Sequence, residues 1–262
     1  MTDFETLLFE KSDGVAKITL NRPDAANGIN LQLAKEIMQA ANDIDDDPSV
    51  RAVLITGNGK LFCAGGDLKS MAGADSRSAL LKEITFYLHG ALSRLARNNA
   101  PVVVAVNGTA AGAGFSLAVA GDLVLAAESA KFTMAYTAAG LTPDGSASYY
   151  LPRLIGMRKT QELMITNRVL SAQEALDWGA INRIVPDDQL QSEAEALAKQ
   201  VANGPTVAFG AVKKLLMTTF SNSFETQLDM EANLIASMTT IHDGNEGINA
   251  FSEKRAAKFK GK

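Results

Sequence analysis

Asp144 is the only acid between Glu128 and Glu162, and it sits in the stretch Ala138 to Tyr150, AAGLTPDGSASYY, which carries no other charge. A carboxylate among small and apolar residues loses solvation and becomes a better proton acceptor. Pro143-Asp144-Gly145 is also good turn chemistry, because Pro, Asp and Gly each favour tight turns. Both readings stand at this level. Two further glycine-bearing segments lie upstream, Phe62-Cys-Ala-Gly-Gly-Asp67 and Asn107-Gly-Thr-Ala-Ala-Gly-Ala-Gly114. Each follows a short apolar run that reads as a buried strand. Loops at the ends of parallel strands build ligand sites. Small residues let a ligand approach the backbone, and a loop entering a helix presents unpaired N–H groups. Two such loops could aim two donors at one oxygen. The same glycines could equally do no more than permit tight strand-to-helix turns.

Other chemistries lack their residues. There are two histidines, His89 and His242, and one cysteine, Cys63, so neither an internal disulfide nor a zinc site is expected. Gly57-Asn-Gly59 and Gly112-Ala-Gly114 begin like dinucleotide fingerprints without the third glycine. No phosphate-binding GxxxxGK[ST] loop and no GxSxG elbow occurs.

The elements around these loops follow from periodicity. Val15–Leu20 alternates like a half-buried strand, and Val53–Thr56, Val102–Val106 and Leu123–Ala126 are short apolar runs suited to buried strands. Leu33, Ile37, Ala40, Ala41 and Ile44 share one helical face, as do Leu81, Ile84, Leu88, Leu92 and Leu95. Ser171-Ala-Gln-Glu174 reads as a capping box opening a helix that stops near Gly179, and Asp243-Gly-Asn-Glu246 gives the same signal. Strands alternate with helices to about residue 200. After Gly204-Pro205 the pattern is helical, with many Leu and Met residues that the parent body or a partner subunit could cover. The expected division is an α/β core over 1–200 and a helical region over 205–262.

Of the 262 residues 47% are hydrophobic and 21% charged, with a net charge of −4. The composition fits a folded domain with a substantial core and opposes nucleic acid as the main partner. Asn98–Gly121 is uncharged, but Pro101, Asn107 and three glycines break it, so it reads as buried core rather than a membrane span. The charged N-terminal stretch lacks the apolar run of a signal peptide. The expected compartment is the cytoplasm.

Taken in order, the segments LFCAGGDL, PVVVAVNGTAAGAG, GDLVLAAESAKF, GLTPD, LSAQEALDWGAINRIV and GINAFSEKR resemble the crotonase (enoyl-CoA hydratase/isomerase) superfamily over nearly the whole chain. The resemblance implies a spiral of ββα units, a C-terminal helical trimerisation region, and a homotrimer or dimer of trimers. It implies an acyl-CoA or aryl-CoA thioester as substrate, with no cofactor apart from the coenzyme A of that substrate. The implied oxyanion hole is formed by the N–H groups of Gly66 and Ala113, the second usually a glycine in the family. Hydratases of the family carry two glutamates, and their positions here hold Ser116 and Tyr136. Asp144 has counterparts in isomerases of the 1,2-epoxyphenylacetyl-CoA type and in 4-chlorobenzoyl-CoA dehalogenases.

The first counterpart implies a double-bond shift with Asp144 as acid and base. The second implies Asp144 as nucleophile and His89 as water-activating base, with Tyr136 where that branch has a tryptophan. A phenol there could orient the carboxylate or simply wall the pocket. Expected contacts to CoA or substrate are Arg22, Ala25, Ala64, Asp67, Leu68, Lys69 and Phe251. The basic tail Lys254–Lys262 either reaches the adenine end of CoA or is solvated. A CoA-binding or RNA-binding protein without catalysis is the alternative of another class.

Overall fold

The computed structural model describes residues 4–262. The first hairpin, β1 (Leu7–Ser12) and β2 (Val15–Leu20), is antiparallel. Helix α1 (Leu31–Asp45) then leads to β3 (Ala52–Gly57), and α2 (Leu68–Ala72) and α3 (Arg77–Arg97) lead to β4 (Val102–Val106). Next come β5 (Ala110–Ala111), α4 (Ala113–Val119), β6 (Leu123–Ala127) and β7 (Lys131–Thr133). Helices α5 (Ala147–Leu154) and α6 (Met157–Thr166) precede β8 (Leu170–Ser171), α7 (Ala172–Trp178) and β9 (Arg183–Val185). From there the chain is helical, in α8 (Leu190–Ala202), α9 (Thr206–Thr218), α10 (Phe224–Met238) and α11 (His242–Ser252).

One sheet has the order β1-β2-β3-β4-β6-β9, parallel from β2 onward. The other, β5-β7-β8, is extended by two isolated parallel bridges, Ile29 with Gly66 and Cys63 with Ala110. Each coil of the chain therefore supplies a strand to the first sheet, a strand or bridge to the second, and then a helix. Such repetition is the ββα spiral that the family resemblance implies. Its consequence is positional: the second ladder stacks the segments around Ile29, Gly66, Ala110 and Phe132 beside one another, although they are distant in sequence.

β2 alternates in burial as its sequence predicts, whereas β3 and β4 are buried almost throughout, because both faces of the sheet are covered there. All five residues of β4 are buried, and α8 packs across β2, β3, β4 and β6. The face of α1 marked by Leu33, Ile37, Ala40, Ala41 and Ile44 is wholly inside. Glu36, buried on the same helix, accepts hydrogen bonds from the Glu5 and Thr6 amides and from Thr6 Oγ1, which pins the entry to β1. The Ser171–Glu174 capping box forms as expected, and Gly179 ends that helix at φ 83°. Asn98–Gly121 folds as strand, loop and short helix, and among the described residues no helix is long and apolar enough to cross a membrane.

The second capping box does not form. The N-cap of α11 is Ile241, and Asp243 lies inside the first turn, 1% exposed. Its carboxylate accepts the amides of Lys260 and Gly261, both at 2.7 Å, and its own amide donates to the Lys262 carbonyl. Glu246 takes Arg255 and the Lys258 amide, and Arg51 reaches the carbonyls of Phe259 and Gly204. The backbone of the basic tail is thus docked on the body, while its lysine side chains remain exposed. By contrast α10 buries none of its residues, and Phe224 and Ile235 on it are each 72% exposed.

Burial pushes the Asp243 carboxyl up, but the Lys260 amide, the His242 ring and the Gly261 amide outweigh it and hold it below the ordinary carboxylate range. A depressed folded pKa stabilises above the unfolded value and is lost as pH falls through the folded one. Asp243→Ala should therefore cost about 2–3 kcal/mol at neutral pH by leaving buried amides without an acceptor. Denaturant midpoints measured from pH 7 downward should show the gap to wild type closing below about pH 4.

Candidate active site

Two loops of the spiral meet back to back. The first, Phe62–Asp67, is fixed from below by Asn27, which is completely buried with φ 52°. The Asn27 Nδ2 group lies 2.9–3.1 Å from the carbonyls of Asn58, Leu61 and Phe62, and its Oδ1 accepts the Arg22 amide. The second loop, Asn107–Gly114, is bonded to the first through Cys63 N–H to Thr109 O and Ala111 N–H to Cys63 O. Gly114 permits this approach, since a Cβ there would sit 2.2 Å from the Cys63 carbonyl oxygen.

The stacking leaves two amides unpaired. In the Ile29–Gly66 bridge the bonds run from Ile29 N–H to Gly65 O and from Asp67 N–H to Ile29 O. The N–H of Gly66 itself points the other way, as strand geometry requires. Ala113 is the first residue of α4, so its N–H has no acceptor within the helix. Among the described residues neither amide donates to a protein acceptor. Both residues line one cavity of about 240 Å³. Its walls are largely apolar, with Leu68, Met71, Leu81, Ile84, Leu88 and Leu141 among them.

Asp144 lines the same cavity. The turn carrying it runs into α5, with Gly145 at φ 61° and its α-carbon backed closely by the Ser116 side chain. The turn reading and the site reading are therefore both satisfied by one segment. Asp144 is only partly exposed, its side chain at 29%. Tyr136 Oη donates to Asp144 Oδ1 at 2.6 Å, and the fully buried Ser116 Oγ lies 3.1 Å from the same phenol oxygen. Burial, followed by the charge of Asp144 and the hydrogen bond to it, pushes the Tyr136 phenol far above its ordinary range. It remains a neutral O–H donor at any working pH.

His89 stands beside Asp144 but outside the cavity. Its Nε2 accepts the Gly145 amide at 3.2 Å and lies 3.5 Å from Asp144 Oδ2, with the imidazole lining a separate hollow behind the turn. Ala64 and Leu68 line the cavity as expected for substrate contacts. Arg22, Ala25, Asp67, Lys69 and Phe251 do not. Arg22 and Asp67 are engaged with each other at 2.9 Å, and Arg22 also donates to the Gly28 carbonyl. Against the effect of partial burial, the Ser70 amide and the Arg22 guanidinium hold the Asp67 carboxyl below its usual range. This pair braces the first loop, and an anionic ligand would have to compete with Asp67 for Arg22. Ala25 sits in a single 3-10 turn, Lys69 is exposed on α2, and Phe251 is 88% exposed on α11. Burial pushes the Cys63 thiol up to about 12, which suits a core residue and not a nucleophile. Among the described residues no three of His, Cys, Asp and Glu gather as a metal-ligand set.

Asn27 is the positioning residue that sequence reasoning missed. The Asn-Gly pair at Asn27-Gly28 signals a turn, but nothing local indicates that its amide group ties together a loop more than thirty residues away. The assembled site can do one kind of chemistry well. Two fixed amides can hold an oxygen that gains negative charge, and one carboxylate can move a proton beside it.

The profile of the Enoyl-CoA hydratase/isomerase family matches residues 10–262. The chain is 36% identical over 260 residues to the 1,2-epoxyphenylacetyl-CoA isomerase of Escherichia coli (strain K12), covering 98% of this chain and 99% of that one. It is 36% identical over 236 residues to 4-chlorobenzoyl coenzyme A dehalogenase-2 of Arthrobacter sp, covering 89% and 86%. The crystal structure of an enoyl-CoA hydratase from Polaromonas sp. JS666 superposes with a TM-score of 0.92 at 32% identity, over 97% of this chain and 99% of that one. These names span three reactions, and they agree on one lineage: the chain belongs to the enoyl-CoA hydratase/isomerase family.

Proposed function

We propose that the protein is an isomerase of unsaturated acyl- or aryl-CoA thioesters, shifting a double bond through a stabilised thioester enolate. The observation that carries this reading is the single carboxylate, Asp144, sharing a cavity with two unpaired amides. The thioester oxygen lies between the N–H groups of Gly66 and Ala113. Asp144 takes a proton from one carbon, the electron pair delocalises into the thioester, and the same carboxyl returns the proton at the far end of the allyl system. Each amide is worth about 3–4 kcal/mol of barrier, the usual loss when one such donor is removed. The coenzyme A belongs to the substrate, and no separate cofactor is required. The exposed apolar face of α10 supports assembly into a trimer or a dimer of trimers. The lone buried thiol is compatible with a cytoplasmic enzyme.

Hydration needs one group to hold and activate water and another to deliver a proton. Ser116 and Tyr136 are bonded to each other and offer neither at neutral pH. Hydrolytic dehalogenation is the second reading, favoured by the proximity of His89 to Asp144. The engagement of Nε2 by the Gly145 amide weighs against it.

Asp144→Asn should lower kcat by about 100- to 10,000-fold, the usual range for a positioned acid or base. In deuterated water the wild type should place deuterium on the substrate carbons without adding water to them. A product heavier by one water would mean hydration, and solvent heavy oxygen found in Asp144 after a single turnover would mean dehalogenation. Tyr136→Phe removes the hydrogen bond to Oδ1, and kcat should fall about 10-fold with little change in KM, given the sensitivity of catalysis to positioning.

A further inference from the structure

His89 Nε2 has two neighbours that make opposite demands. The Gly145 amide, 3.2 Å away, needs a lone pair on this nitrogen. Asp144 Oδ2, 3.5 Å away, could be engaged only by a proton on it. One nitrogen cannot serve both. The amide hydrogen is the one aimed at it, so the ring is neutral with its proton on Nδ1. In that state His89 fastens the turn through Gly145, immediately after Asp144. It leaves Oδ2 without a donor, while Tyr136 occupies Oδ1.

We propose that His89 is a positioning residue whose protonation switches the carboxylate off; this rests on the reading of Asp144 as the proton shuttle. The neutral ring holds Gly145, whose φ of 61° turns the chain so that Asp144 faces the cavity. When the ring gains a proton, Nε2 becomes a donor. The Gly145 amide loses its acceptor, and Oδ2 becomes the nearest anionic partner. An imidazolium paired with Oδ2 draws the acting oxygen away from substrate and makes it a weaker base. Imidazole is the side chain whose charge changes most readily near neutral pH. The other groups facing His89 are few. Arg97 lies further along α3, bonded to Ser93, and Tyr149 and Tyr150 come from α5. Tyr150, raised by burial, stays neutral, and Arg97, bonded to Ser93, does not compete for Gly145. Asp144 is the one anion in the set.

The geometry makes a rescue pattern possible. Gln at position 89 keeps an acceptor for the Gly145 amide but does not titrate, whereas Leu keeps neither property. His89→Leu should lower kcat by roughly 10- to 100-fold through loss of positioning. His89→Gln should recover most of that loss, and the acid side of its kcat/KM profile should show one ionisation where wild type shows two. A readout independent of turnover is the nitrogen signal of the ring. The chain has two histidines, so the His89 resonances are those that vanish in His89→Gln. At pH 7.5 Nε2 should give the signal of a bare, hydrogen-bonded nitrogen and Nδ1 that of a protonated one. A protonated Nε2 at that pH, or an acid limb in His89→Gln identical to wild type, overturns the proposal. Failure of the parent reading looks different: Asp144→Asn would then turn over like wild type whatever the tautomer of His89.

Discussion

The contact of the Cys63 carbonyl with the α-carbon of Gly114 is the constraint on which the site depends. Nothing larger than glycine fits there, and the fit brings two loops of the spiral to a separation at which their outward amides share one cavity. Buried backbone N–H groups are nearly always paired, because leaving them bare is costly. Holding two of them unpaired therefore takes a rigid frame. The frame here is the second ladder of bridges, the Asn27 clamp and the Arg22–Asp67 brace. Arg22, Asn27 and Ile29 tie the Gly66 loop to the segment 22–29 on one side, and the Cys63–Ala110 bridge ties it to the second loop on the other, so the amide of Gly66 is held facing the cavity.

The acid is positioned by the same logic from the opposite wall. Asp144 sits on a turn whose back rests on Ser116, a residue of the helix that begins with Ala113. The unpaired amide of Ala113 and the carboxylate of Asp144 are thereby referred to one short helix. Tyr136 completes the arrangement by donating to Oδ1, and its phenol can do this at any working pH because burial and the neighbouring carboxylate keep it neutral. A fixed neutral donor on one oxygen leaves the other without a donor and open to a reacting group, as the proposed proton shuttle requires.

Much of this is legible in the sequence, and the limits have a physical cause. Val102–Val106 announces a buried strand because every residue in it is apolar, and Ser171 and Glu174 announce a cap because the motif is closed within four residues. Asp243 and Glu246 carry the same local pattern and do something else. The Lys260 and Gly261 amides, seventeen and eighteen residues away, compete successfully for the Asp243 carboxylate. Arg22 and Lys69 look alike as cations free to meet a phosphate, yet only the fold reveals that Arg22 is held by Asp67. His89 reads as a base beside Asp144, and only the direction of the Gly145 amide shows which nitrogen is taken. Residue type and spacing thus reveal what a group can do, while partners distant in sequence decide what it does.

The central claim is the convergence of Gly66, Ala113 and Asp144 on a thioester. A crystal structure with a non-reacting acyl-CoA analogue tests it most directly. The account requires the thioester oxygen about 2.7–3.1 Å from both amide nitrogens, with Asp144 Oδ2 over the carbon chain next to it. An analogue bound with that oxygen away from either amide, or with Asp144 turned to solvent, would contradict it.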